Sequence, residues 1–301
     1  MTISNFSARL AGVLALGITA VSFASILIRW CPAPPMSIAF YRLLFASLFF
    51  ALFTGLQARQ EWRAMQRSAL TLGVISGLGL AAHFATWIAS LFYTTVANSV
   101  VLVSTSPIFV ALGARFILRE PARPLLFVGL VVALVGAAII TLADTGTGRD
   151  SLKGDLLALA GAISVSVYFL TGRILRQRLS TSAYVAMSYG TAAVVLFFAT
   201  LLVNAPLIGF APQVFGIFAL IALVPQVIGH TSFNWALKHL SAPAVSVMLL
   251  GEPIGASVLA YVLLDEKIGW WTLLGGMVTL LGVMIVLLAE ARSRSTRIKK
   301  K

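Results

Sequence analysis

Long apolar runs alternate with short polar breaks along the chain, with a spacing of roughly 30 residues. Each run is about 20 residues long, enough at 1.5 Å per residue to cross ~30 Å of hydrocarbon. The pattern predicts ten helices, at roughly 10–29, 36–56, 69–91, 95–117, 124–142, 154–171, 182–203, 213–236, 242–264 and 269–289. Turn sequences separate several of them: "CPAPP" at 31–35, "ADTGTGRDSLKG" at 143–154 and "NAPLIGFAP" at 204–212. No small-residue cleavage site follows the first run, which is read as a retained helix and not a signal peptide. Composition agrees: 59% of the 301 residues are hydrophobic and 10% are charged. Soluble domains carry about 25% charged residues. The expectation is an all-α membrane protein whose surroundings are lipid. The one cysteine, Cys31, has no partner for an internal disulfide.

The net charge of +13 would suit a nucleic-acid partner, but the positions of the charges argue otherwise. With the N-terminus inside, the inner segments hold Arg9, Arg59, Arg63, Arg67, Arg115, Arg119, Arg123, Arg173, Arg176, Arg178, Lys238 and six more from Arg292 to Lys301, 17 in all. The outer segments hold four, Arg29, Arg149, Lys153 and Lys267. Such a bias orients a membrane protein with both termini in the cytoplasm. The basic excess is therefore read as a topology signal, and no nucleic-acid partner is expected.

Sliding the chain on itself by 146 residues brings Pro107 onto Pro253, Glu120 onto Glu266, Gly129 onto Gly275 and Gly136 onto Gly282. Twelve of 43 positions between 100 and 142 are then identical, more than shared apolar composition gives. Two five-helix halves follow, 1–146 and 147–301. Because five is odd, the second half enters the membrane inverted. Inverted repeats are the usual architecture of secondary transporters, with the site at the repeat interface near the midplane. The stretches "VANSVVLVSTSPIFVALGARFILRE" and "SAPAVSVMLLGEPIGASVLAYVLLDE", each followed by a Gly-rich helix, resemble the two halves of EamA-type members of the drug/metabolite transporter superfamily. "PPMSIAFYRLLFASL", with Arg42, resembles that family's second helix. The resemblance spans nearly the whole chain. It implies a ten-helix inverted-repeat fold, a cavity between the halves, and export of amino acids or other small metabolites across the bacterial inner membrane.

Candidate chemistry lies where polar residues interrupt the apolar runs. Ser76, His83, Trp87 and Ser90 share one face of the third predicted helix. A shift of 147 carries His83 onto His230, where Gln226, His230 and Asn234 form a second stripe. Such stripes should face protein or water instead of lipid. They make His83, Trp87, Gln226, His230 and Asn234 candidate substrate-binding residues, with the two histidines lining one cavity or each locking a helix contact. Tyr168, between Ser164 and Thr171 on one face of the sixth helix, adds an aromatic wall. Glu252 is the one acid of nine placed near the middle of a predicted span, so it needs a partner or a proton. Arg42 lies about six residues from the outer end of the second helix, roughly 9 Å deep. Its side chain either reaches Glu252 or snorkels outward. Pro107, Pro225 and Pro253 interrupt helices four, eight and nine and free backbone carbonyls there, as gating kinks or as packing kinks.

No GxxxxGK[ST], HExxH or GxSxG sequence occurs. No cofactor is expected, and two histidines without a nearby Cys or carboxylate make a poor metal site. The reading is a secondary transporter of small molecules, such as amino acids or aromatic metabolites, driven by the substrate gradient or by protons. The rival is an intramembrane enzyme using His83, His230 and Glu252 as acid and base groups. The charge bias predicts that a reporter fused after residue 301 stays cytoplasmic and that a tag within 144–150 is periplasmic. An accessible tail on the outer face would reverse both assignments.

Overall fold

The computed structural model describes residues 3–94, 99, 102–119, 124–142, 151–264 and 269–298. The helices are α1 (Ile3–Trp30), α2 (Pro35–Arg63), α3 (Arg67–Tyr93), α4 (Ser106–Phe116), α5 (Pro124–Leu142), α6 (Ser151–Leu175), α7 (Thr181–Leu202) and α8 (Pro212–Ile221). A π-helical stretch, Ala222–His230, carries α8 into α9 (Thr231–Ala236). α10 (Ala242–Met248) continues through a 3₁₀ turn, Leu249–Gly251, into α11 (Glu252–Leu264), and α12 is Trp270–Ile298. No strand occurs among the described residues.

Among the described residues, seven helical stretches are long and apolar enough to cross a membrane: Ala8–Trp30, Pro35–Arg63, Arg67–Tyr93, Leu152–Leu175, Thr181–Leu202, Pro212–Ala236 and Ala242–Leu263. Three shorter apolar stretches, Ser106–Phe116, Pro124–Gly136 and Leu273–Val286, fall where the sequence pattern predicts the other spans. Part of the predicted fourth span, and the loop glutamates Glu120 and Glu266, lie outside the described residues.

Local sequence sets the helix ends. Pro35 and Pro212 occupy first turns, where a missing N–H costs nothing. Ser180 caps α7, its Oγ accepting the Ala183 N–H at 3.1 Å. Asn204 closes the far end of that helix at φ +52°, a conformation Asn tolerates. Between α1 and α2, burial pushes the Cys31 thiol up to about 11.

The distribution of side chains is that of a lipid-embedded bundle. Leu52, Phe53, Leu56 and Leu202 are exposed, while Ser22, Arg42, Ser76, Gln226 and Asn234 are buried. Without a hydrophobic drive between helices in lipid, close approach depends on small residues. Gly73 and Gly77 of α3 face Met187 and Thr191 of α7, and Gly79 and Gly161 bring α3 against α6. Gly17 and Gly229 bring α1 against the π stretch and α9.

The closest backbone-to-backbone approach joins α5 to α12. A Cβ on Gly129 would sit 2.8 Å from the Gly282 carbonyl oxygen, and one on Gly136 would sit 2.7 Å from the Gly275 carbonyl oxygen. The helices run antiparallel, since the higher-numbered residue on α5 meets the lower-numbered one on α12. A shift of 146 residues turns Gly129 into Gly275 and Gly136 into Gly282, so it exchanges the two contacts. A two-fold axis perpendicular to the two helices has this property.

Because backbone atoms oppose both glycines, Gly136→Val and Gly282→Val should lower the thermal unfolding temperature in detergent, by overpacking of about 1–3 kcal/mol each. Gly216→Ala, where nothing lies within 4 Å of the added carbon, should leave it unchanged or slightly raised. Equal effects at all three sites would show that the α5–α12 contact is not close-packed.

Candidate functional site

A cavity lies where the two halves of the chain meet. It holds about 630 Å³ of space not filled by atoms, including its open part. α1 contributes Ala24, α2 contributes Arg42, and α3 contributes His83 and Trp87. The π stretch supplies His230. Val103, Ser104 and Ser106 line it just before Pro107, and Leu249, Leu250, Glu252 and Pro253 line it at the break between α10 and α11. These last two sets are matched. The 146-residue shift carries Val103 onto Leu249, Ser104 onto Leu250 and Ser106 onto Glu252.

Arg42 is almost completely buried. Its Nε donates to Gln226 Oε1 at 2.7 Å, and its guanidinium lies 4.1 Å from the centre of the Phe84 ring. The ring face and the amide together hold the charge away from lipid. Nη1 has no hydrogen-bond partner. Arg42 and Glu252 face the same cavity within electrostatic reach of each other. No ion pair joins them among the described residues, so Arg42 takes an amide as its direct partner.

The two histidines flank Phe84. Their distances to its ring centre are 4.8 Å for His83 and 5.5 Å for His230. His83 stacks on Trp87 at 5.9 Å with the rings nearly parallel. Its Nδ1 lies 3.0 Å from the Gly161 carbonyl oxygen. A carbonyl only accepts, so Nδ1 carries the proton and Nε2 is left as the acceptor of the neutral ring. His230 Nδ1 and Trp87 Nε1 lack partners.

Tyr168, Gln226 and Asn234 are fully buried and do not line the cavity. They form a polar layer behind it. Asn234 Nδ2 donates to the Tyr168 hydroxyl at 2.6 Å and to the Tyr189 hydroxyl at 3.2 Å. The Tyr184 hydroxyl meets Ser76 Oγ at 2.8 Å. Gln226 belongs to both groups, reaching forward to Arg42 with its side chain and back to Tyr189 with its carbonyl. Pro225 sits inside the π stretch, and Pro107 and Pro253 are the second residues of α4 and α11, within their first turns.

Sequence reasoning did not single out Ser104, Ser106, Ser246 or the tyrosine pair Tyr184 and Tyr189. The repeat offset was the available signal for Ser104 and Ser106, since they match Leu250 and Glu252. Ser246 and the tyrosines carry no such mark.

A family model, the EamA-like transporter family, matches residues 8–142 and again residues 152–288. The chain belongs to the EamA-like transporter family. The two matched segments are its two repeats. An uncharacterized transporter of Archaeoglobus fulgidus is 25% identical over 292 residues, covering 93% of this chain and 97% of that protein. A probable terminal-alkyne amino-acid exporter of Streptantibioticus cattleyicolor is 28% identical over 255 residues, 81% of each chain. A riboflavin transporter of Rhizobium johnstonii is 31% identical over 165 residues, 51% of this chain and 52% of that one. A solved crystal structure, 16% identical, superposes with a TM-score of 0.76 over 95% of this chain and 98% of its own, and shares the fold. Family and relatives are transporters, and this favours transport over acid–base catalysis for the cavity of this EamA-like protein.

The geometry separates two interactions of Arg42. A double-mutant cycle on thermal unfolding should give a coupling of about 1.5–3 kcal/mol between Arg42→Ala and Gln226→Ala, the range for a hydrogen bond to a charged group. Arg42→Ala and Glu252→Gln should be closer to additive. The reverse order would mean that Glu252 is the direct partner.

Proposed function

We propose that this EamA-like protein is a secondary exporter of small metabolites such as amino acids. It sits in the bacterial cytoplasmic membrane with both termini on the cytoplasmic side. Ten membrane helices, five from 1–146 and five from 147–301, form two inverted repeats, and the cavity between them takes the substrate. The observation that carries this reading is the cavity itself. Positions related by the repeat supply His83 and His230, and also Ser106 and Glu252. The exchange of glycine contacts between the antiparallel α5 and α12 supports a two-fold axis in the membrane plane. The exporter name of one relative supports the direction of transport, and the 17 to four charge bias supports the orientation.

Alternating access needs two ends that open in turn. At one end, Trp62 Nε1 donates to the Ala183 carbonyl at 3.0 Å, and Arg173 Nη1 donates to the Leu237 carbonyl at 2.7 Å. At the other, Ser37 Oγ donates to the Pro206 carbonyl at 2.7 Å, and Thr94 Oγ1 donates to Asp155 at 2.9 Å. Releasing one set while keeping the other opens the cavity to one side. Pro107, Pro225 and Pro253 mark the helix breaks around which the movement turns. His83, His230, Trp87 and Glu252 contact substrate, with Tyr168, Gln226 and Asn234 supporting the wall behind them. A proton gradient drives export if a cavity histidine must titrate during the cycle. Otherwise the substrate gradient suffices.

Solute flux from proteoliposomes, measured over a panel of amino acids and aromatic metabolites, tests the function. His83→Ala or His230→Ala should lower flux through the loss of about 1–3 kcal/mol of hydrogen bonding, roughly 5- to 150-fold in affinity. The protein should remain monodisperse. His83→Gln should restore part of the flux, because Gln keeps a donor and an acceptor. Unchanged flux in the His83→Ala, His230→Ala double variant would remove both histidines from the transport cycle.

A further inference from the structure

We infer that one end of the α5–α12 pair, the end holding Pro124 and Ile298, is a binding surface for the headgroups of anionic lipids in the surrounding bilayer. The inference concerns the edge of the bundle and not its cavity. It goes beyond the transport reading and does not depend on it.

Two basic segments, far apart in sequence, meet at this end. Arg115, Arg119 and Arg123 lie between the last turn of α4 and the start of α5, and Arg123 directly precedes Pro124 in the chain. Arg292, Arg294, Arg297, Lys299, Lys300 and Lys301 follow the apolar part of α12. The antiparallel glycine contact of Gly129 with Gly282 brings the segments to one level. Five residues from each glycine toward the same end stand Pro124 and Leu287, about 7.5 Å along the helices. From Leu287 the backbone of α12 stays helical to Ile298. The two segments hold nine basic residues against two acids, Glu120 and Glu290. At the opposite end of the pair the balance reverses. Segments 143–150 and 265–268 hold Arg149 and Lys267 against Asp144, Asp150, Asp265 and Glu266.

Exposure sets the depth of this surface. Phe116 and Ile117 are 74% and 70% exposed and stand between Arg115 and Arg119, which are exposed as well. In a bilayer such apolar side chains belong at the acyl boundary, and long basic side chains beside them extend to the headgroups. Arg119 closes α4 at φ +54°, a position where helix ends usually carry glycine. On α12, Leu288 is 51% exposed. Arg292 and Arg294 come four and six residues later, about 6 and 9 Å further along the axis. A headgroup layer is about 5–8 Å thick, so both stand at its level. Clusters of basic residues immediately past a membrane helix attract anionic lipid, by about fivefold per residue near the surface. Basic residues elsewhere on this side are used within the protein. Arg173 and Arg176 donate to the Leu237 and Asn234 carbonyls, and Arg9 lies over the Trp235 ring.

The test titrates the full-length protein in detergent with dioleoylphosphatidylglycerol or dioleoylphosphatidylcholine and counts bound lipids by native mass spectrometry. The anionic lipid should bind at least about tenfold more tightly, and the ratio should shrink as salt rises from about 50 to about 500 mM. Arg292→Gln, Arg294→Gln and Arg297→Gln together should lower the ratio at least about fivefold, and adding Arg115→Gln and Arg119→Gln should lower it further. Arg59→Gln, Arg63→Gln and Arg67→Gln remove the same number of exposed charges from the α2–α3 corner and should change it less than about twofold. These are ratios within one protein, so the fraction folded does not enter. No preference for the anionic lipid would overturn the inference, and so would equal losses in the two triple variants, which would mark a response to net charge alone. Displacement of the lipid by soluble glycerol phosphate would assign the surface to free phosphates, and tighter binding of a polyuridylate oligonucleotide would assign it to nucleic acid. Either result would overturn it.

Discussion

A buried cation, Arg42, organises the middle of this protein. An arginine inside a membrane bundle is tolerated only if its charge is met by hydrogen bonds, ring faces or water. Arg42 meets this condition with the Gln226 side chain and the Phe84 ring. That requirement draws three elements to one point. α2 brings the guanidinium, α3 brings Phe84, and the π stretch brings Gln226. His83 precedes Phe84 in the chain, and His230 lies one turn beyond Gln226. Fixing Arg42 therefore also positions both histidines at the cavity.

The π stretch deals with a second consequence of the bilayer, which offers no water to unpaired backbone groups. Pro225 cannot donate a backbone hydrogen bond, and in the same stretch the Gln226 carbonyl accepts from both the N–H and the side chain of Thr231. The Tyr189 hydroxyl approaches the same carbonyl at 3.5 Å. Irregular backbone at membrane depth persists where side chains of the bundle satisfy it, and such places recur at functional sites. Here the irregular segment carries the residues facing Arg42 and the cavity.

Close packing and polar lining are divided between different parts of the chain. α5 and α12 meet through glycines that leave no room for a side chain, while the matched breaks before Pro107 and Pro253 leave space. The same 146-residue offset relates the tight contacts to each other and the open positions to each other. A two-fold arrangement of two similar halves accounts for both without a separate explanation for each.

The sequence alone was enough to read the all-helical membrane class, the internal duplication and the family. These depend on periodicity, composition and fixed offsets, which are properties of the chain in one dimension. It also marked His83, Trp87, His230, Arg42 and Glu252, because a polar group in an apolar run is conspicuous wherever the run is placed. Which of the marked groups share a wall was decided in three dimensions. Gln226 and Asn234 lie on the same stripe as His230, yet the wider π turn and the packing of α6 and α7 direct them into the layer behind the cavity. Tyr168 goes with them, held by Asn234. Arg42 takes Gln226 and not Glu252 as its direct partner because the fold brings the two residues, 184 positions apart, to 2.7 Å. Sequence spacing fixes neighbours along one helix. Only the crossing of several helices, set by where glycines let them approach, fixes neighbours between them.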